Sequence, residues 1–196
     1  MRNDECRTGQ FSFHRTRDEN PKQAAFSLHA HEGFELLYIV EGRGSFFVEG
    51  REYPLAPHTA MIMRPGEVHR LLVDESSPYE RVCVMFRQEL LQEIDPEGLL
   101  LVPFLRRGLG ERNRYRIPCS EELLGLFEPS DTAGWEPGSL ELTAQLFLLR
   151  CLFEIRSQQG VRKLAADPPP LEPVLSFINR HLGDELSLGA VAAQFY

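Results

Sequence analysis

No stretch of this chain is apolar for long enough to cross a bilayer as a helix, which takes about 20 residues. The opening residues, Met1-Arg2-Asn3-Asp4-Glu5, lack the apolar core of a secretory signal, and a cytoplasmic setting is expected. Cysteine is scarce. Cys6, Cys83, Cys119 and Cys151 lie far apart and form no CxxC pair, which excludes a disulfide scaffold and points to reduced thiols. Cys83 and Cys151 sit inside apolar runs and read as small core residues. Basic charge is also short: 21 Lys and Arg face 29 Asp and Glu, for a net charge of -8. That balance excludes this stretch, as it stands, from being a nucleic-acid-binding surface. What the chain does have is a core. Its hydrophobic content is 42% over 196 residues, enough for one large domain or one domain plus a piece of another.

From Phe26 to Phe86 the pattern is strand after strand. The expected strands are Phe26–His31, Phe34–Val40, Ser45–Val48, Arg51–Leu55, Thr59–Met63, His69–Asp74 and Tyr79–Phe86. Turn signals such as Glu41-Gly42-Arg43-Gly44, Glu49-Gly50 and Pro65-Gly66 separate them. Short strands spaced this way predict an antiparallel barrel or sandwich. Apolar residues on both parities of Phe34–Val40 predict burial on both faces. Upstream, Phe11 and Phe13 alternate with Ser12 and His14, as an edge strand or as an arm whose aromatics cover a pocket.

After Phe86 the period changes. Short helices are expected over Arg87–Ile94 and Glu121–Glu128, the second capped by Ser120, and a long one over Ser139–Gln158. The long helix carries two apolar stripes. One is Leu142, Leu146, Leu149 and Phe153; the other is Leu140, Ala144, Phe147, Cys151 and Ile155. Docking on a barrel needs only one stripe. Either neighbouring helices cover the second, or a second protomer does. Gly160 to Pro170 reads as a stiff linker, Leu171–Leu182 as a short amphipathic helix, and Ser187 as the cap of a last helix, Leu188–Tyr196. That helix stops with its apolar face uncovered, so the chain is expected to be a piece of a longer protein.

The chemistry concentrates at His29-Ala30-His31-Glu32-Gly33-Phe34-Glu35. On an unbroken strand, positions 29, 31, 33 and 35 share a face. Two imidazoles and a carboxylate on one face can grip a first-row metal or a polar ligand. A third imidazole, His69, follows the Pro65-Gly66 turn. No further acid, base or nucleophile stands out, although Tyr38 or Glu67 could serve. Arg43, Arg51, Arg64 and Arg70 near barrel turns could meet an anionic effector, with plain surface charge as their ordinary role.

These stretches resemble the two motifs of the cupin superfamily: His29-x-His31, Glu35 and Gly42, then Pro65-Gly66 and His69. Thr59, Val73 and Gln23 stand where that pattern has glycine, asparagine and glycine. The tail, Val174-Leu175 through Leu186-Ser187-Leu188 to Phe195, resembles the opening of the DNA-binding domain of AraC/XylS-type regulators, and the front resembles their sensor half. The resemblance implies a mainly β fold with C-terminal helices, a cupin-like antiparallel barrel or jelly roll followed by a helical subdomain. Residues 1–86 would be the effector-binding barrel with its arm, 87–159 a dimerising helical subdomain, 160–170 a linker, and 171–196 an incomplete first helix-turn-helix. It further implies a small-molecule effector held by His29, His31, Glu35, Tyr38 and His69, and a homodimer. DNA would be bound through a missing C-terminal domain of which Ser187 to Tyr196 is the start. The cupin motif offers His29, His31, Glu35 and His69 as ligands for Zn, Ni, Fe or Mn. The alternative is a metal-dependent cupin enzyme, a dioxygenase or isomerase; otherwise no catalytic role is expected.

Overall fold

The computed structural model describes residues 3–118, 120–128, 138–159 and 187–195. Two compact units divide the chain, Met1–Gly160 and Val161–Tyr196. The first contains β1 (Asn3–Arg7), β2 (Phe11–Asp18), β3 (Phe34–Glu41), β4 (Gly44–Val48), β5 (Arg51–Pro54), β6 (Thr59–Met63), β7 (His69–Val73), β8 (Tyr79–Phe86) and β9 (Arg114–Arg116). Its helices are α1 (Val102–Leu105), α2 (Ser120–Gly125) and α3 (Ser139–Ser157). The second unit contains α4 (Leu188–Phe195), where the Ser187 hydroxyl accepts the Ala190 amide at 3.1 Å and so caps the first turn as expected. Among the described residues no helix is long and apolar enough to cross a membrane. The expected linker, the helix over 171–182, Cys119 and the loop around Trp135 lie outside the described residues.

Every strand pairing is antiparallel. A large sheet runs in the order β1-β2-β8-β3-β6-β9, and a small one in the order β5-β4-β7. Strand parity sorts the apolar residues into two clusters. On β3, Leu37 and Ile39 point inward to meet Phe46, Val48 and Leu71 of the small sheet, while Leu36 and Tyr38 point outward. The outward face is covered by Phe104, Phe127 and α3, which buries Ala144, Phe147, Leu148, Cys151, Leu152 and Ile155. Phe147 meets Tyr38 edge-on at 5.6 Å, and Phe13 stacks on Phe127 at 4.9 Å. β3 is therefore buried on both faces, as its double parity predicts.

The chain crosses between sheets at Gly42-Arg43-Gly44. Gly44 has φ +128°, and a Cβ there would stand 2.0 Å from the Leu72 carbonyl oxygen, so only glycine fits.

Four expectations are corrected. Phe26–His31 is not a strand, since only His29 bridges to His69. Gln23 explains why: its side-chain amide donates to the Leu71 carbonyl and accepts the Val73 amide, occupying the edge of β7 that a strand would need. The Phe11–Phe13 segment is no pocket arm. It is part of an eight-residue strand between β1 and β8, and both rings join the outer cluster. Arg87–Ile94 forms only a single 3₁₀ turn at Gln88–Leu91. The helix expected over Glu121–Glu128 ends at Gly125.

Candidate functional site

Between the two sheets lies a cavity of about 370 Å³, open toward the irregular segment that carries Ala25, Phe26, Ser27 and His29. β3 contributes Glu35 and Leu37, β4 Phe46, β7 His69 and Leu71, β8 Tyr79, Arg81, Cys83 and Met85, and β2 His14. The motif residues do not reach it along one strand. The backbone bends at Glu32-Gly33, and β3 begins at Phe34. Convergence comes instead from the bridge that pins His29 to His69, with mutual backbone hydrogen bonds of 3.0 and 2.9 Å.

The result is an imidazole cluster around one carboxylate. Glu35 Oε2 accepts His31 Nε2 at 2.6 Å and lies 3.1 Å from His69 Nε2. The His69 nitrogen is buried and makes this ion-pair contact without a hydrogen bond. Glu35 Oε1 accepts the Cys83 thiol at 3.2 Å. Nitrogen Nδ1 of each histidine donates to a backbone carbonyl: His29 to Ser27, His31 to Gly33 and His69 to Glu67. These bonds fix the rings, and the Nε2 atoms of His31 and His69 meet the carboxylate. Such an array demands a cation. Either protons sit between the Nε2 atoms and Glu35, or a metal ion does. Potential ligand atoms of His29, Glu35 and His69 lie within 4.8 Å of one another, close enough for one ion. The donor set and the buried His69 nitrogen, which makes no hydrogen bond, fit a transition metal. His31 stands to the side, its ring 6.2 Å from that of His29, and holds Glu35 in place.

The electrostatics agree. Burial alone would raise the Glu35 carboxyl, but the His31 hydrogen bond and the neighbouring His69 outweigh it and hold the group well below the carboxylate range. Burial opposes charge on His69, yet Glu35 beside it raises that imidazole above its ordinary value.

The AraC-like ligand-binding domain family matches residues 14–146. The chain belongs to that family. Solved structures similar to it include a cupin protein from Bacteroides fragilis, 15% identical, with 44% of this chain and 77% of that one covered at a TM-score of 0.39. A Cupin 2 conserved barrel domain protein from Salinispora arenicola is 14% identical, with 49% and 83% covered at 0.39. A DMSP lyase from Ruegeria pomeroyi is 16% identical, with 41% and 40% covered at 0.35. Among curated proteins none is a match.

The AraC-like domain places some expected site residues elsewhere. Tyr38 lies on the outer face of β3, its hydroxyl 3.2 Å from His58 Nδ1 and its ring against Phe147, so it does not line the cavity. The parity of 35 and 38 already separates them. Glu67 is wholly buried in a two-pronged pair with Arg107, at 2.6 Å on each oxygen, joined by Asn113 and the amides of Arg64 and Gly110. Its role is to tie the 106–113 loop to the barrel. Arg64 reaches the carbonyls of Leu105 and Arg107, and Arg51 pairs with Glu111. None of Arg43, Arg51, Arg64 or Arg70 lines the cavity. His14, Tyr79, Arg81 and Cys83 do, and no local motif marks them. For the three on β8 the one signal in the sequence is parity: 79, 81 and 83 share a face.

Proposed function

We propose that the barrel is the sensor half of an AraC-type transcription regulator. A small-molecule effector binds in the inter-sheet cavity, against His29, His31, Glu35 and His69. Two protomers pair through the exposed stripe of α3, and a DNA-binding half, begun at Ser187 to Tyr196, follows in a longer protein. What carries this reading is the cavity. A fold whose outer face is packed solid keeps an open space of ligand size inside, and puts its oriented polar groups there. Effector binding would act through different contacts in two arrangements of the protein.

The cation-demanding cluster favours a bound transition ion, Zn, Ni, Fe or Mn, held by His29, Glu35 and His69 with His31 beside them. Such an ion would supply Lewis acidity and open positions for an oxygen-bearing ligand. This observation also supports the second reading, a metal-dependent cupin enzyme. Of the acid–base groups that reading would need, Tyr38 and Glu67 do not line the cavity, whereas His14 and Tyr79 do.

Metal analysis of the purified chain tests the ion. About one equivalent, lost in His69→Ala and weakened in His31→Ala, is expected. No uptake from Zn, Fe, Ni or Mn salts would leave the four residues as pocket wall. A thermal-shift screen of sugars and small acids tests the sensor reading. Turnover of any of them by the metal-loaded chain would favour the enzyme.

A further inference from the structure

The cavity has a second polar end, far from the histidines. Glu35 pairs with Met85 across β3 and β8, and Ile39 pairs with Arg81. Arg81 therefore lies four residues further along, about 13 Å by strand rise. Leu37, Phe46, Leu71 and Cys83 fill the stretch between.

Arg81 makes no hydrogen bond and no ion pair to any described residue. Its guanidinium lies 5.3 Å from the ring centroid of Phe26 and 5.2 Å from that of Tyr79. Aromatic faces hold the plane of a guanidinium while leaving its N–H edge unsatisfied. Beside it, the Tyr79 hydroxyl is wholly buried and has no partner. Thr16, directly opposite Arg81 in the β2–β8 register, has a buried hydroxyl without a partner as well. Buried donors without acceptors are rare. Two such hydroxyls beside a half-buried guanidinium, on one face of one sheet, call for a group rich in acceptors.

Among the charged groups of the cavity wall, the one carboxylate, Glu35, is engaged by His31 and Cys83 and sits beside His69. His14, opposite Cys83 in the middle of the wall, is held toward its neutral form by burial and by the charge of Arg81. His29 stands at the mouth. Among the described residues Arg81 thus has no anion paired with it.

We infer that the effector is a small organic acid: an apolar body lying across the Leu37–Phe46–Leu71 belt, with its carboxylate held edge-on by Arg81 and within the donor field of Tyr79. This inference rests on the reading of the cavity as the effector site, and names the chemical class of what fills it.

Calorimetric titration of the whole chain with matched acid and amide probes tests it. Suitable pairs are butyrate and butyramide, benzoate and benzamide, and 3-phenylpropanoate and its amide. At least one acid should bind about tenfold or more tightly than its amide, since a two-pronged charged contact is lost on amidation. Arg81→Gln should abolish that preference and Arg81→Lys should retain part of it, with circular dichroism confirming that both fold. Amides that bind as well as their acids would overturn the inference and leave the cavity reading standing. So would an acid preference that survives Arg81→Gln and disappears in His69→Ala, which would put the anion at the histidine end. Binding of neither acids nor amides would overturn the inference, and the sugars of the thermal-shift screen would then decide the cavity reading.

Discussion

The two faces of the large sheet use the same strands to opposite ends. The outer face, built on Leu36, Tyr38, Val82, Val84 and Phe13, is sealed under α3, Phe104 and Phe127. The inner face begins as a core, with Ile39, Met61 and Met63 wholly buried, and then opens into a cavity lined by five ionisable residue types. Packing to full density stabilises but leaves nothing to bind. The inner face gives up contacts to keep space, and its polar groups are held by partners chosen to orient them rather than to satisfy all of them. The Thr16 and Tyr79 hydroxyls are the visible remainder.

The sharpest way to break this contrast is to delete volume on each side. Phe147→Ala should lose about 3–5 kcal/mol in chemical denaturation, because α3 and Tyr38 lose their shared contact and cannot collapse together. Leu71→Ala, on the cavity wall, should lose less, about 2 kcal/mol, since it enlarges space that already exists. Equal losses would mean that the inner face is packed as tightly as the outer.

Arg107→Met should cost a comparable amount, about 3–5 kcal/mol, by stranding the buried Glu67 carboxylate. The double variant Arg107→Met with Glu67→Leu should recover much of it. Failure of the double variant to recover would show that Glu67 has a role beyond the Arg107 pair.

A pH series comes next. Glu35 is depressed on folding, so its contribution is present above its ordinary value of 4.5 and is lost as pH falls through the depressed one. His69 is raised, so its contribution is present below its ordinary value of 6.5 and is lost as pH rises through the raised one. Both act in full between those two values, and stability from this pair should be greatest there. Glu35→Gln should flatten that profile in metal-free protein. An unchanged profile would place the titrating groups elsewhere.

The smallest effect concerns α3. Leu142, Leu146 and Phe153 are 61%, 50% and 61% exposed, whereas the stripe of Ala144, Phe147, Cys151 and Ile155 is buried. Leu146→Glu should shift monomer stability by no more than about 0.5 kcal/mol. If α3 is the dimer face, sedimentation should show dissociation in that variant; an unchanged sedimentation coefficient would remove the dimer from this helix.

The sequence by itself determined the strand succession. Thr59–Met63 and Tyr79–Phe86 fall where alternation and turn signals put them, and β3, β4, β5 and β7 differ only by a residue at one end. It also determined the long helix and its two apolar stripes, because apolar period is a local property of the chain; the cap is Gly138, with no side-chain bond, and not Ser139, which is the first helical residue. The quartet His29, His31, Glu35 and His69 was legible because its spacing is short and its residue types are few. Less local features were not. β1 (Asn-Asp-Glu-Cys-Arg) has no apolar alternation and exists only because β2 offers it an edge. Which stripe of α3 docks was open until the sheet's outer face chose the one with Ala144 and Phe147. Arg81 and Tyr79 carry no motif, and they meet Phe26 and Thr16, more than fifty residues away in the chain, only through the β2–β8 register and the folding of one sheet over the other. Periodicity tells which face of an element is apolar. What stands opposite that face is decided when the sheets close, because contacts between distant segments are set by register and packing and not by any property of the segments alone.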